Sequence, residues 1–204
     1  MSEEKIKENL AGKKILIIED DESLPKRLAN EFGRYGAKAE VKHCVESGLE
    51  ELKQNGLNYH LIVVDVMLPQ TKEAFQQIQH WIKEITEYNE VFIQEDEAES
   101  NNVEFNKIVE NAKHRRSVLL EKITKEINPR GGIEMVKDWL DWLKNNRDDE
   151  GEKIERPPIL YLTAAGNVEI IMDGKEVAGA KDVEWLVKPV SGLKLMHTAA
   201  ELLE

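Results

Sequence analysis

Short runs of apolar and β-branched residues constrain the fold of this chain more than any other feature. Runs of this kind are typical of strands that are buried on both faces of a parallel sheet. The third run carries a single charge, and proline ends it. The predicted strands are Lys14–Ile18, 37–44, 60–68, 158–163 and Val183–Val187.

Segments with helical spacing alternate with these strands. Leu24, Leu28 and Phe32 stand four residues apart, which places them on one face of a helix over 23–35. Further helices are predicted over 45–54, 133–143 and 192–203. Strands that alternate with helices predict an α/β fold with a doubly wound parallel sheet.

Chemically active residues follow the predicted strands. In such sheets ligands bind at the carboxyl ends of the strands, so we expect these side chains to converge. Crowded carboxylates repel one another, and a hard, oxygen-ligated cation such as Mg²⁺ relieves that repulsion. A metal, a lysine and a hydroxyl can together hold the charge of a transferred phosphoryl group while a carboxylate attacks it, which makes Asp65 the natural nucleophile. The converging residues are Glu19, Asp20, Asp65, Thr163 and Lys188.

Composition argues against several classes of function. The net charge of −12 repels a phosphate backbone, and the basic cluster at 113–116 is short, so we expect no direct nucleic-acid partner. Cys44 is the single cysteine, and the five histidines lack the spacing of zinc ligands.

No apolar run approaches the roughly 18 residues of a membrane span. Residues 1–12 lack the apolar core of a secretory signal and suit a solvated N-terminal tail or a short helix, so we expect a cytoplasmic protein with no membrane partner.

The segments around the strand ends resemble the receiver domains of two-component response regulators. In order, the matching segments are ILIIEDDE at 15–22, VVDVMLP at 63–69, ILYLTA at 159–164 and LVKP at 186–189. The resemblance implies a flavodoxin-like sheet of five parallel strands in the order 2-1-3-4-5. It covers residues 13–69 and 131–204, which form the expected receiver domain.

The resemblance also implies a metal site and a phosphoacceptor. Asp65 would accept the phosphoryl group. Asp20, Asp65 and the backbone carbonyl of Met67 would bind Mg²⁺ directly, and Glu19 would act on the metal through water.

By the same resemblance, three further residues would respond to phosphorylation. Thr163 would bond a phosphoryl oxygen in the active state, Lys188 would pair with the phosphoryl group, and Trp185 would occupy the aromatic switch position. The donor would be a histidine kinase or a phosphotransfer protein of a phosphorelay. Residue 204 lies where the fifth receiver helix should end, so we expect output through protein binding, with no catalysis beyond the chain's own aspartyl phosphorylation and dephosphorylation.

Two alternatives belong to other functional classes. Phosphatases of the haloacid-dehalogenase type also attack phosphate with a strand-end aspartate, but they place a second aspartate two residues later, where this chain has Met67. A pseudo-receiver would keep the fold and act as a phosphate-independent interaction scaffold. Pseudo-receivers usually lack one of the acidic or lysine residues, and none is missing here, yet departures near the site keep this alternative open.

Residues 70–130 have no counterpart in the basic receiver fold. Two stripes of apolar residues recur there with three- or four-residue spacing, and the acidic segment 94–102 separates them. We predict an inserted helical hairpin that binds a downstream protein or a second copy of the chain. The stripes are Phe75, Ile78, Ile82 and Ile85, followed by Phe105, Ile108, Ala112, Leu119, Ile123 and Ile127.

The segment 166–183 fits the receiver pattern poorly. Asp173 and Gly174 stand between two short apolar runs, which favours a β-hairpin, whereas the family has a helix there. Both structures remain open for 168–178.

Overall fold

The computed structural model of the chain describes residues 1–97, 103–147, 155–164 and 182–204. Its central sheet is parallel and has the order β2-β1-β3-β6-β7, so the predicted 2-1-3-4-5 arrangement is confirmed. In chain order the described elements are α1 (Glu3–Leu10), β1 (Lys14–Ile18), α2 (Leu24–Arg34), β2 (Lys38–Lys42), α3 (Val45–Asn55), β3 (Leu61–Asp65), β4 (Leu68–Pro69), α4 (Lys72–Glu97), α5 (Val103–Glu126), β5 (Ile127–Asn128), α6 (Gly131–Arg147), β6 (Ile159–Thr163), β7 (Val183–Val187) and α7 (Gly192–Glu201).

Helices cover both faces of the sheet. On one face, side chains of α3 and α6, among them Leu52 and Trp139, pack against the strands. On the other face, side chains of α1, α2 and α7, such as Phe32 and Leu195, form a second core cluster. Strands β3 and β6 are buried along their whole length, as the apolar runs predict.

The first residues of the chain form a helix that belongs to the core. α1 begins after Ser2, whose hydroxyl accepts the Lys5 N–H at 3.3 Å. Ile6 and Leu10 are fully buried in the same cluster as residues of α7. Because these two apolar residues are four apart, they give the helix one buried face. The expected solvated tail is therefore wrong, and the short helix is correct.

α4 and α5 run antiparallel and pack against each other. Arg115 Nε lies 3.1 Å from Glu84 Oε1, and Lys122 Nζ lies 5.7 Å from the centre of the Trp81 ring. α4 continues to Glu97, three residues further than the start of the acidic segment that was predicted to be a turn. Glutamine and glutamate form three of residues 94–97, and both have high helix propensity.

The buried stripe of the hairpin differs in part from the predicted one. Ile78, Ala112 and Leu119 are buried as predicted, whereas Ile82 and Ile108 are 44% and 51% exposed. Val109 is buried, and its neighbour Ile108 is not. Adjacent residues on a helix point about 100° apart, so a helix with one narrow buried face can bury one of them and expose the other. The Phe105 side chain lies outside the described residues.

β4 and β5 pair at the base of the hairpin. Leu68 is opposite Asn128, and Pro69 is opposite Ile127. The two ends of the 70–130 segment therefore meet next to the end of β3.

The open question about 168–178 concerns residues outside the described part of the chain.

Among the described helices, none has the length and apolarity required to cross a membrane.

Candidate functional site

Three carboxylates meet at the carboxyl end of the sheet. β1 and β3 are adjacent and parallel, with Ile18 opposite Val64, so the residues that follow them emerge side by side. Carboxylate oxygens of Glu19, Asp20 and Asp65 all lie within 4.8 Å of one another. Glu19 is 1% exposed and Asp65 is 5% exposed. The structure thus brings the predicted acidic residues together in a largely buried cluster.

Lys188 provides a positive charge within this cluster. Its backbone N–H donates to the Thr163 carbonyl at 2.7 Å, which places the residue beside the end of β6. Its Nζ lies 2.6 Å from Glu19 Oε2 and 2.8 Å from Asp65 Oδ2. One ammonium faces three carboxylates, so negative charge remains in excess.

Burial and the excess negative charge both raise the proton affinity of the carboxylates in the cluster. Burial, and then the charge of Asp65, raise the pKa of Glu19 to about 7 and the pKa of Asp20 to about 6. Burial alone would lower the pKa of Lys188, but the charges of Asp65 and Glu19 raise it above its ordinary value. At neutral pH the site therefore favours a positively charged occupant.

The sequence predicted three further site residues, namely Thr163, Met67 and Trp185. Thr163 is fully buried at the end of β6, next to the strand that carries Asp65. The Met67 N–H lies 3.4 Å from Asp65 Oδ1. The Trp185 ring stacks on Tyr161, with ring centres 4.5 Å apart, and packs against the core on one face of the sheet. The Trp185 side chain is partly buried against that core.

Gln79 of α4 and His43 contact the backbone of Glu19 and Asp20, which we call the acidic pair, and sequence analysis missed these contacts. Gln79 Nε2 donates to the Asp20 carbonyl at 2.9 Å. His43 Nδ1 lies 2.9 Å from the Glu19 carbonyl oxygen, and the His43 ring stacks on Phe75 at 4.8 Å between ring centres. These contacts join segments far apart in the chain, and no local pattern indicates them.

Gly132 allows α6 to begin against the end of β3. A Cβ at this position would collide with the Asp65 carbonyl oxygen. The Gly132 N–H donates to the Val66 carbonyl at 3.0 Å. Glycine at position 132 has no Cβ, which permits this close approach of two backbones.

The donor set fits a magnesium ion. Mg²⁺ prefers oxygen ligands and is commonly held by one or two carboxylates together with water. Asp20 and Asp65 can supply those carboxylates, and Glu19 is close enough to hold a metal-bound water. The excess of negative charge described above supports the same assignment.

Comparisons with known proteins agree with this architecture. No protein-family model matches the sequence, and no curated protein matches it. Among solved structures, the chain is similar to the receiver domain of the Francisella response regulator 1452, with 16% identity, a TM-score of 0.52, and coverage of 94% of this chain and 97% of that one.

Two further solved structures have the same fold. A CheY-like response regulator receiver domain protein from Methanospirillum hungatei matches with 13% identity, a TM-score of 0.53, and coverage of 95% of this chain and 94% of that one. A two-component response regulator from Clostridium difficile matches with 15% identity, a TM-score of 0.52, and coverage of 94% and 95%. The chain therefore has the flavodoxin-like fold of the response-regulator receiver domains.

Proposed function

We propose that this chain is a Mg²⁺-dependent receiver that takes a phosphoryl group on Asp65 from a histidine kinase or a phosphotransfer protein. The observation that carries the proposal is the position of the Asp65 carboxylate. It lies 2.8 Å from the Lys188 ammonium and within 4.8 Å of carboxylate oxygens of Glu19 and Asp20. A buried carboxylate between a lysine and a potential metal site has the surroundings that an aspartyl nucleophile needs.

The proposed reaction is a displacement at phosphorus. An Asp65 carboxylate oxygen forms a bond to the phosphorus of a phosphohistidine, the phosphorus–nitrogen bond breaks, and the imidazole of the donor leaves with the electron pair. A bound Mg²⁺ would neutralise charge on the phosphoryl oxygens. The product is an acyl phosphate, and its hydrolysis would regenerate the Asp65 carboxylate.

We assign two side chains to hold the new phosphoryl group. The Lys188 ammonium donates a hydrogen bond to the Asp65 carboxylate. After the reaction the same ammonium can donate to a phosphoryl oxygen instead. Thr163 ends the neighbouring strand, and we assign its hydroxyl as a donor to another phosphoryl oxygen. Movement of Thr163 toward the phosphoryl group, together with Trp185, would change the partner-binding surface.

A second candidate is a phosphate-independent scaffold that binds partners through the hairpin. Ile82 and Ile108 favour it, because these large apolar side chains are 44% and 51% exposed on α4 and α5. The complete set of carboxylates and the lysine favour the first candidate.

Phosphorylation by a small donor tests the first candidate. The protein is incubated with acetyl phosphate, with and without Mg²⁺, and its intact mass is measured. We expect an adduct of about 80 Da that requires the metal and is absent from Asp65→Asn. The matched control is Asp138→Asn, which changes an exposed aspartate on α6 and should retain the adduct.

Two results would contradict the proposal. One is an adduct that persists in Asp65→Asn. The other is a folded wild-type protein that gains no mass from acetyl phosphate and Mg²⁺ or from a histidine kinase, which would favour the scaffold.

A further inference from the structure

The turn between β1 and α2 carries the acidic pair, and residues from outside the turn hold its backbone. Within the turn, Asp21 Oδ1 accepts the Ser23 and Leu24 N–H groups at 2.7 and 2.6 Å, which fixes the start of α2. The carbonyls of Glu19 and Asp20 accept no bond from this local network. Their bonding partners are His43, at the end of β2, and Gln79, on α4.

Phe75 and Gln79 stand one helical turn apart on α4, so they face the same side of that helix. Phe75 stacks on the His43 ring with an interplanar angle of 7°, and the ring in turn bonds the Glu19 carbonyl. Gln79 bonds the next carbonyl directly. One face of α4 therefore restrains two successive peptide groups, one directly and one through His43.

The start of α4 is itself held against α3. The Lys72 N–H donates to Glu46 Oε2 at 3.1 Å, and the Glu46 N–H donates to the Gln70 carbonyl at 2.9 Å. The Lys72 ammonium also lies 2.8 Å from Glu50 Oε2. These bonds fix the direction in which α4 leaves the sheet, so Phe75 and Gln79 reach the turn from a defined position.

We propose that Gln79 and Phe75 are positioning residues that hold the Glu19 and Asp20 backbone so that both carboxylates face Asp65. This inference rests on the proposed function, in which these carboxylates serve a Mg²⁺ ion. Rotation of either peptide group would swing the attached side chain away from the cluster. Bonds that orient metal ligands commonly affect metal affinity strongly, although they do not touch the metal.

A Mg²⁺ titration followed by backbone amide chemical shifts tests the inference. Gln79→Met keeps the length of the side chain and removes the donor. The matched control is Gln77→Met, an exposed glutamine on the same helix. We expect Gln79→Met to weaken Mg²⁺ binding about fivefold and Gln77→Met to leave it unchanged. Phe75→Leu, which removes the stack on His43, should weaken binding in the same direction.

A second readout separates positioning from a general loss of structure. With acetyl phosphate, Gln79→Met should need about fivefold more Mg²⁺ for half-maximal phosphorylation but reach the wild-type rate at saturating Mg²⁺. A role confined to folding would instead lower the maximal rate or the melting temperature. Equal Mg²⁺ affinity in Gln79→Met and Gln77→Met would overturn the inference.

The result also distinguishes this inference from the proposed function. If wild-type protein binds Mg²⁺ but takes no phosphoryl group, a weaker Mg²⁺ affinity in Gln79→Met still supports the positioning role. If the wild-type protein binds no Mg²⁺, the positioning role and the metal requirement are both wrong. If wild-type protein is phosphorylated normally and Gln79→Met binds Mg²⁺ as wild type does, the proposed function is supported and the positioning role is wrong.

Discussion

The Lys188 ammonium lies 2.8 Å from a carboxylate oxygen of Asp65, although the two residues are 123 positions apart in the chain. The lysine side chain is 20% exposed, and the aspartate side chain is 7% exposed. In this environment water screens the ion pair only weakly. The attraction between the two charges offsets the free-energy cost of removing each of them from water. Lys188 therefore helps to make the burial of three neighbouring carboxylates possible.

Removal of this ammonium should destabilise the metal-free protein. We expect Lys188→Met to lower the free energy of unfolding by about 3 kcal/mol, because it leaves buried carboxylates without their counter-charge. Mg²⁺ should recover part of that loss, since the variant keeps the metal-binding carboxylates. Urea unfolding with and without Mg²⁺ measures both effects. Lys194→Met, at an exposed lysine on α7, is the control, and an equal loss in the two variants would contradict the explanation.

The pKa values of the acidic pair predict a pH dependence. The pKa of Glu19 is about 7 and that of Asp20 about 6, above their ordinary values of 4.5 and 3.8. Protons therefore compete with the metal, so Mg²⁺ affinity should fall as the pH is lowered through this range. Without metal, the folded state binds more protons than the unfolded state from about pH 4 to about pH 7, so the free energy of unfolding should fall as the pH rises through that window.

Mg²⁺ titrations and urea unfolding at several pH values measure these two trends. Glu22→Gln, at an exposed carboxylate in the same turn, is a control that should keep both. Mg²⁺ affinity that is constant from about pH 5 to about pH 8 would contradict the prediction.

Gly132→Ala should disturb the site through the backbone. Its Cβ would collide with the Asp65 carbonyl oxygen, and relief requires α6 or β3 to shift. We expect a loss of about 2 kcal/mol in the free energy of unfolding, together with slower phosphorylation. Gly33→Ala is the control, because a Cβ there meets no atom within 4 Å, and alanine should stabilise α2 slightly. Similar stability of both variants would show that the backbone accommodates the methyl group easily.

Much of the sheet and the membership of the acidic cluster could be predicted because each depends on a local pattern. Apolar runs mark strands that are buried on both faces, and the parallel arrangement brings Asp65 and Lys188 to one edge. The contacts of Gln79 and Phe75 with the β1–α2 turn could not be predicted, since they depend on the direction in which α4 leaves the sheet. That direction depends on contacts such as those of Lys72 with Glu46 and Glu50, which join exposed residues with no distinctive sequence signal.

The exposed and buried faces of the hairpin show a second limit. Ile108 and Val109 are adjacent apolar residues, and periodicity assigned Ile108 to the buried stripe. The structure buries Val109 and exposes Ile108, so helix packing made the choice. For α1, the two apolar residues Ile6 and Leu10 gave too short a pattern to show that this helix docks on the core.

The last prediction concerns replacement of residues 71–129 by a short Gly-Ser linker. Pro69 is paired with Ile127, and paired strands lie about 5 Å apart, so a linker of a few residues can join the two ends without strain. The central sheet should fold, because its strands and the helices that cover it lie outside the deleted segment. Asp65 should still accept a phosphoryl group, but Mg²⁺ should bind more weakly, because Gln79 and Phe75 are removed.

If the hairpin is the recognition surface, partner binding or self-association should disappear, because the exposed Ile82 and Ile108 are removed as well. Pull-down and light-scattering measurements on both proteins test this, with Ile82→Ser in the full chain as a milder variant. A shortened protein that keeps every interaction of the parent would show that recognition lies elsewhere.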